Sequence, residues 1–285
     1  MSQPVTAAQI KELRERTGVG MGKCKEALEA SNGDIELAIA NLRKAGMASA
    51  AKKEGRTTNE GMISAGETDK HVAVVEVNAE TDFVVKNDRF QSFIAAVADA
   101  AAKAGANSLD ELMQVSALYD GHQQTIEQQR AALVQALGEN IQIKRLKLLD
   151  KSGDKSIGVY SHLGGKIVTL VEISGSHDEE ALAKDIAMHV AAAAPEFLAP
   201  EDVPADVIAN ERDIANSQMQ GKPAAMIDKI VDGKLNAFYD ANCLARQKFI
   251  KNDALSISDL VSQRAKSAGK SLKLTGFIRW SVGQS

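Results

Sequence analysis

Aromatic side chains are scarce: one Trp, three Tyr and seven Phe in 285 residues. With alanine abundant, that balance favours helices. Only two cysteines occur, Cys24 and Cys243, too few for a disulfide framework. Each falls on a helical pattern and reads as a small buried apolar residue. Long apolar runs are missing. The start, MSQPVTAAQIKELRE, has no apolar signal core. The stretch MHVAAAAPEFLAP is interrupted by His189, Pro195 and Glu196. No segment is expected to span a membrane, and a cytoplasmic protein is predicted. An excess of positive charge is missing too, the formal net charge being -4. A nucleic-acid binder would normally carry a basic face, so direct RNA or DNA binding is disfavoured.

Motifs for covalent chemistry are also wanting. His71, His122, His162, His177 and His189 show no His-Glu-x-x-His spacing. No Gly-x-Ser-x-Gly elbow occurs. No enzyme, cofactor or metal is therefore expected. One stretch, RERTGVGMGKCKEAL, looks like a phosphate-binding loop through Gly18, Gly20, Gly22 and Lys23. A phosphate loop needs Gly, any four residues, then Gly-Lys-Ser/Thr behind a strand. Counting back from Gly22-Lys23, the first position is Thr17, and the hydroxyl position is Cys24. Thr6 to Arg16 reads as a helix, so the stretch is a glycine-rich turn between helices.

The length suggests about two domains of roughly 150 residues. Thr6 with Gln9 makes a capping box, Ile10 and Leu13 share a face, and Gly18 closes the first helix. Cys24, Ala27 and Leu28 mark the inner face of a second helix, which Ser31-Asn32-Gly33 breaks. Asp34 caps a third, with Ile35, Ile39 and Leu42 inward and Gly46 as its predicted end. Residues 47–60 lose periodicity, and Lys52, Lys53 and Arg56 read as part of a solvated linker.

An internal repeat follows. HVAVVEVNAET (71–81) matches KIVTLVEISGS (166–176). Each is preceded by a shorter strand pattern, EGMISAG or IGVYSHL, and followed by an alanine-rich helix pattern. Two copies of hairpin plus helix predict two similar α+β halves with antiparallel strands. The first copy adds the helix TIEQQRAALVQALGEN and the strand IQIKRLKLL. After Pro200 two helical patterns predict a hairpin, with Pro204 and Pro223 in first-turn positions. A helix, SISDLVSQRAKSAG, and a strand, KLTGFIRWSVG, return to the second half. The predicted class is α+β, predominantly helical. The expected divisions are 1–55, the three helices and linker; 56–150, the first half; 151–200, the second half; 201–249, a coiled-coil-like hairpin; and 250–285, the return.

The copies differ in one place. The second passes through Gly-Ser-His-Asp to its helix, whereas the first inserts AETDFVVKND. Asp82 and Phe83 stand side by side there, with Asn87 or Asp88 left to cap the helix. Two readings are open on these residues alone. Phe83 folds back as a core plug while Asp82 caps a turn, or Phe83 is an exposed anchor for a partner's pocket.

The segment VNAETDFVVKN resembles the signature of the bacterial elongation factor Ts family, here Thr81-Asp82-Phe83-Val84. The start IKELRERTGVGMGKCKEALEASNGDIELAIANLRKAG is similar to that family's N-terminal domain. LGENIQIKR, YSHLGGKIV, DIAMHVAAAAPEFL and TGFIRW follow in the expected order, so the resemblance covers nearly the whole chain. It implies a guanine-nucleotide exchange factor for elongation factor Tu. It also implies an N-terminal unit similar to ubiquitin-associated domains, and it admits a homodimer or a two-to-two complex. By the motif match, Asp82 and Phe83 enter near the partner's Mg²⁺ and nucleotide pocket, flanked by Thr81 and Val84. Arg14 and Met21 match contacts to its GTPase domain; Gly22 stands where the family often has a second Met. Leu137-Gly138-Glu139-Asn140 matches an element touching another partner domain, with Leu137 in place of Ile. His162 is the histidine of the Tyr-Ser-His-Leu-Gly-Gly element. The chain stops at Ser285, so the extra C-terminal helical module of some members is expected to be absent. The alternative function is a non-catalytic adaptor that binds a protein through its N-terminal helices.

Overall fold

A computed structural model describes residues 5–119, 122–151, 153–218 and 224–284. The chain divides into two compact units. One holds residues 1–150, 163–166 and 281–285; the other holds 151–162 and 167–280.

The first unit opens with α1 (Ala7–Thr17), α2 (Met21–Ala30) and α3 (Ile35–Lys53). The Thr6/Gln9 capping box forms, Gly18 ends α1 in the left-handed region, and the Asp34 side chain caps α3. Leu13, Val19, Cys24, Leu28, Ala38, Ile39 and Leu42 close a small core among the three helices. The predicted end of the third helix is corrected: α3 runs through Gly46 to Lys53. Gly46 is a contact point rather than a terminator. A Cβ there would lie 3.0 Å from Gln135 Oε1 and 3.4 Å from the Ala131 carbonyl oxygen, so its smallness lets α3 lie close against a later helix. The supposed linker is thereby helical as far as Lys53. Ala50 is buried in the next core, and Lys53 Nζ donates to the Val134 carbonyl.

That next core rests on strands β1 (Glu60–Glu67) and β2 (His71–Ala79), then α4 (Asp82–Val85) and α5 (Asp88–Ala104). After them come α6 (Leu109–Gln114), β3 (Ser116–Tyr119), β4 (His122–Thr125), α7 (Ile126–Leu137) and β5 (Ile141–Asp150). The sheet order is β1-β2-β5, antiparallel throughout, with a register shift at Glu76/Val77 against β5. β2 is buried on both faces from Val72 onward, which suits the apolar run Val72–Val75, while the buried Glu76 and Asn78 are polar exceptions, Glu76 pairing with Arg145 of β5. Phe90, Phe93, Ile94 and Val97 of α5 pack in the same core as Val75 and Val77. The two-stranded β3–β4 sheet and α6 fall in sequence with no clear period.

The second unit contains β6 (Lys155–His162), β7 (Ile167–Ser174), α8 (Glu180–Ala193), α9 (Ala205–Ser217), α10 (Ala224–Asn242), β8 (Lys248–Phe249), β9 (Asn252–Ser256), α11 (Ile257–Ala268) and β10 (Lys273–Ser281). Its sheet order is β10-β7-β6, so the last strand does return to the second repeat. Pro204 sits at the N-cap of α9, just outside the first turn; Pro223 lies outside the described residues. α9 and α10 share a small core of Ala215, Val231 and Leu235. Cys243 is buried just past the end of α10, and Cys24 is buried within α2.

Candidate functional site

The insertion after β2 is one helical turn. Lys86 N–H donates to the Asp82 carbonyl at 3.0 Å and closes it. Val84 and Val85 are each buried in the sheet–helix core. A turn of 3.6 residues cannot bury four consecutive side chains, so pinning these two valines turns Phe83 outward. Phe83 is 80% exposed, the most exposed large apolar residue among those described. The core-plug reading is therefore corrected: the buried neighbours, not Phe83, hold the turn. Val84, matched to the partner-binding signature, is itself part of that anchor. The Asn87 side chain caps α5, accepting from Arg89 N–H at 3.0 Å.

Asp82 pairs with Lys86 one turn on, Nζ to Oδ2 at 2.7 Å. The Lys86 hydrogen bond holds the Asp82 carboxyl below its ordinary range, and in return raises the Lys86 ammonium. The turn thus displays an ionised carboxylate beside a bare aromatic ring.

The strand end before the turn is fastened to the corner after α7. Glu139 accepts from Thr81 N–H at 3.0 Å and from the Thr81 hydroxyl at 2.7 Å. Glu80 accepts from Asn140 N–H at 2.6 Å. Gly138 caps α7 at φ +84°, a left-handed turn that glycine makes without steric cost. That turn sends the chain back toward β2. Asn140 is fully buried, and its amide donates to the carbonyls of Glu54 and Arg56. Leu137 is half-buried against the core and Gly138 is exposed.

Arg14 and Met21 flank the glycine-rich turn. Arg14 is exposed and Met21, the first residue of α2, is 52% exposed. Gly22 is also exposed, with open space where a side chain would begin. The element before this turn is α1, a helix, as its capping box and apolar face predict, where a phosphate loop would need a strand. The Arg89 guanidinium fills the space a side chain on Gly18 would need, so the glycine-rich turn lies against the start of α5. His162 belongs to the second unit. It is exposed at the end of β6, with Nδ1 3.1 Å from the Tyr160 hydroxyl and the two rings stacked.

The sequence reading missed Lys86 and the pairing of Thr81 with Glu139 and of Asn140 with Glu80. The first signal was available, because Asp82 and Lys86 stand at i and i+4. The second was not, because the partners lie 58 and 60 residues apart. Among the described residues no group of three or more His, Cys, Asp or Glu is placed to hold a metal ion. No described helix is long and apolar enough to cross a membrane.

The family model for elongation factor Ts matches residues 80–284, from the residue before Thr81 to just past the last strand. The chain belongs to the elongation factor Ts family. It is 64% identical over 280 residues to elongation factor Ts of Protochlamydia amoebophila, covering 98% of this chain and 99% of that one. It is 47% identical to elongation factor Ts of Chlamydia caviae and 46% identical to that of Chlamydia felis; each match covers 96% of this chain and 97% of the relative. The family model takes in the exposed turn, the clasp behind it and the second repeat but begins after the β1–β2 hairpin of the first, whereas the match to the Protochlamydia protein covers nearly the whole chain.

Proposed function

We propose that the protein is a guanine-nucleotide exchange factor that binds elongation factor Tu and promotes GDP release during translation elongation. Family membership supports the role, and the exposed Phe83 on a pinned turn is the observation that carries the mechanism. In such GTPases the nucleotide is held by phosphate-loop N–H groups, a Lys and Mg²⁺. Phe83 enters an apolar pocket of the partner near that site. Asp82 brings negative charge, or a competing hydrogen-bond acceptor, to the groups that hold the metal and phosphates.

The coupling is reciprocal: a factor that favours the partner's open form weakens nucleotide binding, and nucleotide weakens the factor equally. Each ~1.4 kcal/mol of coupling changes the equilibrium tenfold. Burying one Phe supplies about 1.5–3 kcal/mol, so a large effect needs several contacts. Asp82, Phe83, Arg14, Met21, Leu137, Gly138 and His162 form the proposed footprint, with Val84 anchoring the turn from within and Thr81 fastening its first residue to Glu139 from behind. The three N-terminal helices act as a ubiquitin-associated-like module against the partner's GTPase domain. Stopped-flow release of fluorescent GDP from elongation factor Tu tests this. Phe83→Ala is expected to slow release at least tenfold, while Lys103→Ala, on the exposed surface of α5, leaves it within twofold. Equal rates for the two variants would remove the anchor role.

A further inference from the structure

We propose that Glu139 is a positioning residue for the turn at residues 81–84, rather than a contact to the partner. The inference rests on the exchange reading above. A single helical turn is not stable by itself, because nucleation fixes several residues for one hydrogen bond. α4 spans only Asp82–Val85, and its N-cap residue, Thr81, makes no side-chain cap bond to it. The Thr81 hydroxyl is turned the other way, to Glu139. Both Glu139 carboxylate oxygens are engaged by Thr81, one by the N–H and one by the hydroxyl. Glu80 returns the clasp by accepting from Asn140 N–H. Bonds to an ionised acceptor are stronger than neutral ones.

The turn is thus held on two sides. Val84 and Val85 fix it from the core, and the Glu139 carboxylate fixes its first residue. Without Glu139 the two valines become a pivot, and the Asp82 and Phe83 side chains sample other directions. Binding through the remaining footprint survives, while the fraction of complexes with Phe83 correctly aimed falls. Positioning of this kind alters the limiting rate more than the affinity.

The test measures fluorescent GDP release from elongation factor Tu against rising concentrations of the full-length chain. Glu139→Ala is expected to lower the limiting release rate about tenfold, the size expected for losing charged hydrogen bonds, with the half-saturating concentration within about twofold of wild type. Glu139→Gln keeps an acceptor for Thr81 N–H and restores most of the rate. Combining Thr81→Ala with Glu139→Ala lowers the limiting rate no further than Glu139→Ala alone, since the two act through one contact. An unchanged limiting rate, a change confined to half-saturation, or additive losses would each overturn the positioning role. So would a loss that Gln fails to restore and that accompanies a lowered melting temperature. If the wild-type chain itself does not accelerate release, the exchange reading falls and this proposal with it. If wild type accelerates release and Glu139→Ala matches it, only the positioning role falls.

Discussion

Asp82 and Phe83 are adjacent, yet different forces set their surroundings. Burial of Val84 and Val85 drives the ring into solvent, while the carboxylate is fixed by an ion pair with Lys86. The sequence left Phe83 undecided because an aromatic in a loop most often buries. Two valines following it were the signal: they satisfy the core first. The Asp82 pair is solvent-exposed, so its value to stability is small. Its effect on titration is nevertheless measurable. The folded pKa of Asp82 lies below its ordinary 3.8 because of Lys86, so the pair contributes above that value and is lost as pH falls through the folded pKa. A carboxyl ¹³C NMR titration should place the Asp82 midpoint below 3.8 in wild type and move it up toward that value in Lys86→Met. Identical midpoints would show that Lys86 does not govern the carboxylate.

At the level of elements, the repeat was legible because strand and helix periods differ, and each copy wrote the same period twice. β1, β2 and α5 answer to β6, β7 and α8. What misled was Gly46, read as a helix end when its smallness serves the approach of α7 to α3. Local signals cannot distinguish a glycine that stops a helix from one that admits a neighbour. Ionic fastening between elements was equally hidden. Glu179, buried at the N-cap of α8, pairs with Arg264 of α11 at 2.7 Å and with Lys270 at 3.3 Å. Asp178 also pairs with Lys270, which together with the Ser176 hydroxyl pulls its carboxyl down to about 2. Arg264, then Lys270, hold Glu179 below its ordinary 4.5. Both folded values are depressed, so this fastening is complete above about pH 4.5 and disappears as pH falls toward about 2. Thermal melts should therefore show Lys270→Met below wild type in Tm at pH 7, with the gap closing between about pH 4.5 and 2. A gap that stays constant across that window would mean that Lys270 acts through packing alone.

Across the whole molecule, the sequence carried the family in its signature segments and their order, and the matches to elongation factor Ts relatives bear that out. The arrangement behind the signature was not readable, because Thr81 with Glu139 and Glu80 with Asn140 depend on where β2 ends relative to α7. The glycine-rich turn near the start, which looks like a nucleotide loop, follows a helix and presents Met21 to solvent. On the proposed account, the chain handles nucleotide only through the partner that holds it. An exchange factor acts repeatedly, whereas an adaptor binds and stays. The most direct measurement is release of fluorescent GDP from elongation factor Tu, with excess unlabelled nucleotide and the chain at about one-hundredth of the partner's concentration. The account predicts that release of the entire labelled pool is accelerated, each molecule of the chain serving many partners in turn. Acceleration limited to a stoichiometric fraction, or none at all, would contradict it.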